Sequence, residues 1–108
     1  MSADLTRIVA RSGGRFLLLK VGGVRWIRSA GNYVELHTAD GTHLVRTPLN
    51  EFEQRLDPEH FARVHRTAMV QLDEVAAVEP NANGDYDILM RDGTRLPMSR
   101  NYRSRLLT

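Results

Sequence analysis

From Tyr33 to Thr38 apolar and polar positions alternate: Val34 and Leu36 fall on one face, Tyr33, Glu35 and His37 on the other. That period of two marks a half-buried β-strand. Asp40-Gly41 supplies a hairpin turn, and His43 to Thr47 returns as the partner strand. The same chemistry recurs later. Tyr86, Ile88 and Met90 share a face, Asp92-Gly93 turns the chain, and Thr94 to Met98 returns. Upstream, Arg15 to Lys20 reads as a buried strand ended by Gly22-Gly23, and Val24 to Arg28 as a short strand whose Trp26 belongs in the core. Ser29-Ala30-Gly31-Asn32 then breaks the pattern. The first 14 residues read as a partly ordered segment closed by a turn at Ser12-Gly13-Gly14, leaving 15–108 as the domain.

Between the two hairpins the period lengthens. Leu49, Phe52 and Leu56 fall at helical spacing, with Thr47 as the expected cap, Pro48 at the first position and Asp57-Pro58 as the stop. A brief last helix is expected after Ser99, with Tyr102 and Leu106 turned inward. The chain is therefore expected to be mainly β, with one or two short α-helices.

Composition narrows the class. At 108 residues, 42% hydrophobic and 26% charged, the chain suits one soluble core. No apolar run approaches the ~20 residues of a membrane-spanning helix. Asp4 interrupts any signal-peptide pattern, and the absence of cysteine removes disulfides and thiolate metal sites. A cytoplasmic location is expected. His37 and His43 flank a hairpin but make only half a metal site, and no third ligand accompanies them. There is no nucleophile elbow or phosphate-cradling glycine loop, so neither enzyme activity nor a cofactor is expected.

A net charge of +2 says little alone, but its distribution says more. No Asp or Glu occurs from Leu5 to Val34, from His60 to Leu72, or from Gly93 to Thr108, and these windows hold most of the 15 basic residues. If the windows meet in space, they form a basic face suited to phosphates. Nearly all the basic residues are arginine, whose planar fork binds phosphate or guanine through two hydrogen bonds.

Three polar segments interrupt the apolar patterning at strand ends: Ser29 to Tyr33, Arg63 to Thr67, and Ser99 to Arg103. Connections on a rigid scaffold are where binding residues concentrate. Arg66 and Arg100 have the chemistry to fork onto guanine, and Asn32 or Asn101 onto adenine. Ser29, Thr67 and Ser99 suit phosphates, as does the start of the last helix with its free N–H groups.

The run from Trp26 to Gly41, that from His60 to Leu72, and Asp92-Gly-Thr-Arg-Leu-Pro-Met-Ser-Arg-Asn-Tyr resemble, in order and spacing, the signatures of the LytTR DNA-binding domains. The resemblance covers about residues 5–107. It implies stacked antiparallel β-sheets, and double-stranded DNA read by loops in successive major grooves rather than by a recognition helix. It further implies repeated sites bound in pairs, and attachment to a receiver domain that this chain does not contain. Carried over by position, it implies base contacts from Asn32 or its neighbour Gly31, from Arg66 and from Arg100. Backbone contacts would come from Arg63, His65, Ser99, Asn101 and Arg103; Ser29, Gly31 and Thr67 in the same segments, and Arg28 as an added charge near the first loop, are further candidates. Two positions depart from the family: Arg28 stands where Glu is usual, and Gln71 where Asn is usual.

Structural roles compete for several of these residues. His65 also suits a hydrogen-bonded structural histidine, Arg66 an ion pair with Glu74, and Arg100 a solvated helix start. Tyr33 and Tyr102 suit packing. At the level of the whole chain, the alternative to DNA binding is a β-rich interaction module whose arginines pair with an acidic protein.

Overall fold

The structure is a computed structural model that describes residues 4–107. Ten strands and one α-helix follow in chain order: β1 (Arg7–Ser12), β2 (Arg15–Lys20), β3 (Val24–Ala30), β4 (Tyr33–Thr38), β5 (Gly41–Val45), α1 (Leu49–Arg55), β6 (Phe61–His65), β7 (Ala68–Gln71), β8 (Val75–Pro80), β9 (Tyr86–Met90) and β10 (Arg95–Met98). A 3-10 helix, Arg100–Arg105, ends the order. The strands form a five-stranded sheet in the order β5-β4-β3-β7-β6, a three-stranded sheet β10-β9-β8, and the hairpin β1-β2. Every pairing is antiparallel.

The five-stranded sheet is the middle layer, because it is apolar on both faces. Successive side chains of a strand point to opposite sides. On β3, Ile27 therefore enters one core while Trp26 enters the other. The first core joins Ile27, Val34, Leu36 and Met69 to Ile8 of the hairpin and to Leu49, Phe52 and Leu56 around α1. The second joins Trp26, Ala62, Val64 and Val70 to Ile88, Met90, Leu96 and Met98 of the three-stranded sheet. The fold is thus the expected stack of antiparallel sheets.

The alternating strands and both Asx-Gly turns form as expected. Val34 and Leu36 are fully buried, and β4 pairs with β5 with Thr38 opposite Gly41. At the second turn the Asp92 carboxylate accepts the Thr94 N–H at 2.9 Å.

Other expectations need correction. β2 is not a buried strand: Phe16 is 64% and Leu18 69% exposed. A two-stranded hairpin offers only one face to the body, here that of Ile8 and Ala10, so Val9, Phe16 and Leu18 face outward. The segment expected to be partly ordered holds a complete strand, because β1 pairs with β2 from Arg7 opposite Lys20 to Ser12 opposite Arg15. Gly13 and Gly14, both at positive φ, close that hairpin. Residues 1–3 of that segment, and residue 108, lie outside the described residues. Thr47 does not cap α1. Pro48 is the N-cap, without a side-chain bond, while the Thr47 N–H donates to Val45 O at 3.0 Å. The terminal helix is 3-10 rather than α.

Candidate nucleic-acid interface

Two tight hairpin turns and one strand exit bring the three polar segments together. Ala30 pairs with Tyr33, so Gly31 and Asn32 alone make the β3–β4 turn. Gly31 sits at φ +63°, a left-handed conformation that glycine adopts without a side-chain clash. His65 pairs with Ala68, leaving Arg66 and Thr67 as the β6–β7 turn. The Ser29 N–H donates to Thr67 O at 2.9 Å and ties these turns side by side. The Ser99 N–H donates to Val64 O at 3.0 Å and brings the exit of β10 onto β6. The main chains of all three segments are therefore contiguous.

Asn32 and Arg66 are exposed at the tips of their turns, and neither side chain has a hydrogen-bond or ion-pair partner among the described residues. Glu74 does not pair with Arg66; it lies 3.7 Å from Arg25 instead. Arg100 is held. Its Nε lies 3.4 Å from Asp85 Oδ1, and one terminal nitrogen donates to Asn83 O at 3.2 Å. The Arg100 main-chain N–H also donates to Asp85 Oδ1, at 3.0 Å. That N–H is the largest influence holding the Asp85 carboxyl below its ordinary range. Partial burial opposes it, while the Arg100 guanidinium adds to it.

Arg63 leaves the set of phosphate-contact candidates. Its side chain is 7% exposed and its donors are used inside the molecule. Nε donates to His65 O at 2.7 Å, NH1 to Asn50 Oδ1 and Glu53 Oε1 at 2.9 Å each, and NH2 to Arg66 O. It therefore braces the Arg66 turn from beneath and fastens that turn to α1. Alternation along β6 sets Arg63 on the same face as Phe61, which packs in the α1 core, while Ala62 and Val64 enter the other core. Alternation gives that face but not the Asn50 and Glu53 partners on α1. The other Glu53 oxygen accepts Arg105 at 3.0 Å, joining the last helix to the same brace.

His65 is both structural and available. Its Nδ1 accepts the Thr67 N–H at 3.2 Å and lies 2.8 Å from the Thr67 hydroxyl. Accepting an N–H requires an unprotonated Nδ1, which puts the neutral ring's proton on Nε2.

The start of the last helix does not offer free N–H groups. The Arg100 N–H is taken by Asp85, that of Asn101 by the Ser99 hydroxyl at 3.3 Å, and that of Tyr102 by Ser99 O at 2.9 Å. The Asn101 side chain and Arg103 remain exposed, with the Arg103 guanidinium 6.0 Å from the Tyr86 ring centre. Arg28 lies in strand β3, opposite Glu35 and Ala68. Gln71 donates to Gly22 O at 3.1 Å and Val24 O at 2.7 Å, which ties β7 to the start of β3. His37 stacks on Trp26 with ring centres 4.5 Å apart, whereas His43 pairs opposite Leu36, so the two do not face each other. Among the described residues no group of three potential metal ligands occurs.

Sequence reasoning missed the β8–β9 loop, Asn81 to Asp85, which reaches the edge through Arg100. Its Asn-Ala-Asn-Gly-Asp composition announces a turn. The pairing with Arg100 is tertiary and leaves no local mark.

Residues 14–108 match the family described as the LytTr DNA-binding domain. The chain belongs to that family. The LytTr domain here is 37% identical over 87 residues to the CO-responsive transcriptional regulator RcoM of Rhodospirillum rubrum, covering 78% of this chain and 36% of that protein. It is 27% identical over 94 residues to the sensory transduction protein LytT of Bacillus subtilis, covering 87% of this chain and 39% of that one. The chain thus spans well under half the length of these relatives. Among solved structures, it is similar to the LytTr DNA-binding domain of a putative methyl-accepting/DNA response regulator from Bacillus cereus. The TM-score is 0.87 at 20% identity, over 97% of this chain and 100% of that one, a likeness of fold. No helix among the described residues is long and apolar enough to cross a membrane.

Proposed function

We propose that this domain binds double-stranded DNA sequence-specifically, with the joined loop edge as its reading surface, and serves transcription regulation, as the name of its relative RcoM describes. The observation that carries the reading is the pair of main-chain hydrogen bonds, Ser29 to Thr67 and Ser99 to Val64, that draws three polar segments to one edge. Asn32 and Arg66 supply unpartnered base-reading groups at adjacent turn tips, and Arg100 a pre-oriented one. Arg28, Ser29, Thr67, Ser99, Asn101, Arg103, the Gly31 N–H and His65 Nε2–H serve as phosphate donors that fix register. Loops rather than a helix enter successive major grooves, because the edge carries tight turns and a 3-10 helix. Pairing of two domains on repeated sites, and an input domain of the receiver type in the whole protein, complete the proposal.

Selection of bound sequences from a random duplex pool tests it. Enrichment of a defined motif, with affinity falling by a log–log salt slope of about −0.9 per phosphate contact, supports it. Failure to retain any duplex at low salt overturns it and leaves the acidic-protein alternative.

A further inference from the structure

We propose that Asp85 is a positioning residue for DNA recognition: it holds Arg100 aimed at one base edge and weakens the grip of that arginine on unselected DNA. This rests on the DNA-binding reading above. The β8–β9 loop is built as a cradle. The Asn81 N–H donates to Asp85 O at 2.9 Å, the Gly84 N–H to Asn81 O at 3.3 Å, and the Asn83 N–H to the Asn81 side chain at 2.9 Å. The loop is thereby fixed independently of Arg100. One oxygen of Asp85 takes both the main-chain N–H and the Nε of Arg100, while Asn83 O takes one terminal nitrogen. Gly84, at φ +83°, lies so close that a Cβ there would stand 3.3 Å from Arg100 NH2.

This arrangement consumes the Nε hydrogen and one terminal hydrogen. An arginine has five N–H donors in a rigid fork. The hydrogens of NH1 and the second of NH2 remain for an end-on pair of bonds to guanine, and the side chain is still 64% exposed. Fixing a long flexible side chain before binding reduces the ordering cost at the moment of contact. The carboxylate also offsets the charge of the guanidinium. A lone phosphate, attracted mainly by charge, gains less from Arg100 than a base edge that satisfies its directional donors. An exposed ion pair of this kind contributes little to folding, so its role is not to hold the domain together.

Parallel selections from one random duplex pool, with wild type, Asp85→Asn, Arg100→Ala and the double variant, test the inference. Asparagine keeps an acceptor oxygen for the main-chain N–H and removes only the charge. Asp85→Asn is expected to weaken the preference at the base pair whose preference Arg100→Ala abolishes. It is also expected to tighten random-duplex binding about three- to ten-fold and to steepen the salt slope by up to about 0.9, one phosphate's worth. The double variant should match Arg100→Ala at that base pair, and Asp85→Glu, which restores the charge, should restore weak random-duplex binding. If Asp85→Asn retains wild-type preference and random-duplex affinity, or weakens all duplexes alike, the inference is overturned. If wild type itself enriches nothing, the DNA-binding reading falls first and takes this inference with it.

Discussion

The main-chain N–H of Ser99 donates to the carbonyl of Val64, the residue at which β6 shifts register against β7. This bond joins the last strand of the three-stranded sheet to the edge of the middle sheet. It sets the base of the Arg66 turn beside the start of the last helix, so two segments far apart in sequence present their arginines from adjoining backbone.

Arg63 and Arg66 are near neighbours in the chain with opposite fates, and their alanine variants should separate cleanly. Arg63→Ala leaves two turn carbonyls without their donor and breaks a mostly buried ion pair, a class of change that costs about 3–5 kcal/mol. Glu53 keeps Arg105 as a partner, which places the expected loss near the lower end. Urea denaturation measures it. Arg66→Ala should melt like wild type yet lose ~1–3 kcal/mol of binding to the selected duplex, through one base pair. Equal stability losses in the two variants would contradict the assignment.

Gly31→Ala places a Cβ at φ +63°, where an L-residue pays roughly 1–2 kcal/mol. No atom crowds that position, so the loss should come from backbone strain alone. Thermal denaturation should show the loss, and Gly31→Asn, which tolerates this conformation better, should recover part of it.

The sequence made the middle of the fold legible where one face of a strand is wet. Val34 and Leu36 against Tyr33 and Glu35 announce β4, and Asp40-Gly41 and Asp92-Gly93 announce its hairpin and that of β9–β10. It misled where burial depends on partners. Phe16-Leu17-Leu18-Leu19 reads as buried, but only a third layer over β1–β2 would cover Phe16 and Leu18. The candidate edge was legible as three polar interruptions. The buried role of Arg63 was not, because its partners Asn50 and Glu53 come from α1 and leave no mark on the local pattern of β6. Nor was Asp85, whose partner lies across a tertiary contact.

The exposed face of the β1–β2 hairpin follows from that lesson. Phe16→Thr and Leu18→Thr together keep strand-favouring residues while removing surface that is already in water. Each should change stability by no more than about 0.5 kcal/mol. A calorimetric loss of several kcal/mol would show that this face is covered in solution.

Acid titration of Asp85 has a definite sign. Its folded-state carboxyl titrates below the ordinary value of 3.8, held down first by the Arg100 N–H. The stabilisation it contributes is therefore present above that value and lost as pH falls below it. Carboxyl NMR should place its midpoint under 3.8, and Arg100→Ala should move it only part-way back, since the main-chain N–H at that position survives. An unchanged midpoint in the variant would remove the side-chain share of the effect.

Amide chemical-shift mapping on adding the selected duplex tests the shared edge most directly. The largest changes are expected at residues 29–33, 64–68, 83–85 and 99–103 together, with Val9, Phe16 and Leu18 unmoved. Changes centred on the β1–β2 hairpin, or confined to one of the three segments, would contradict it.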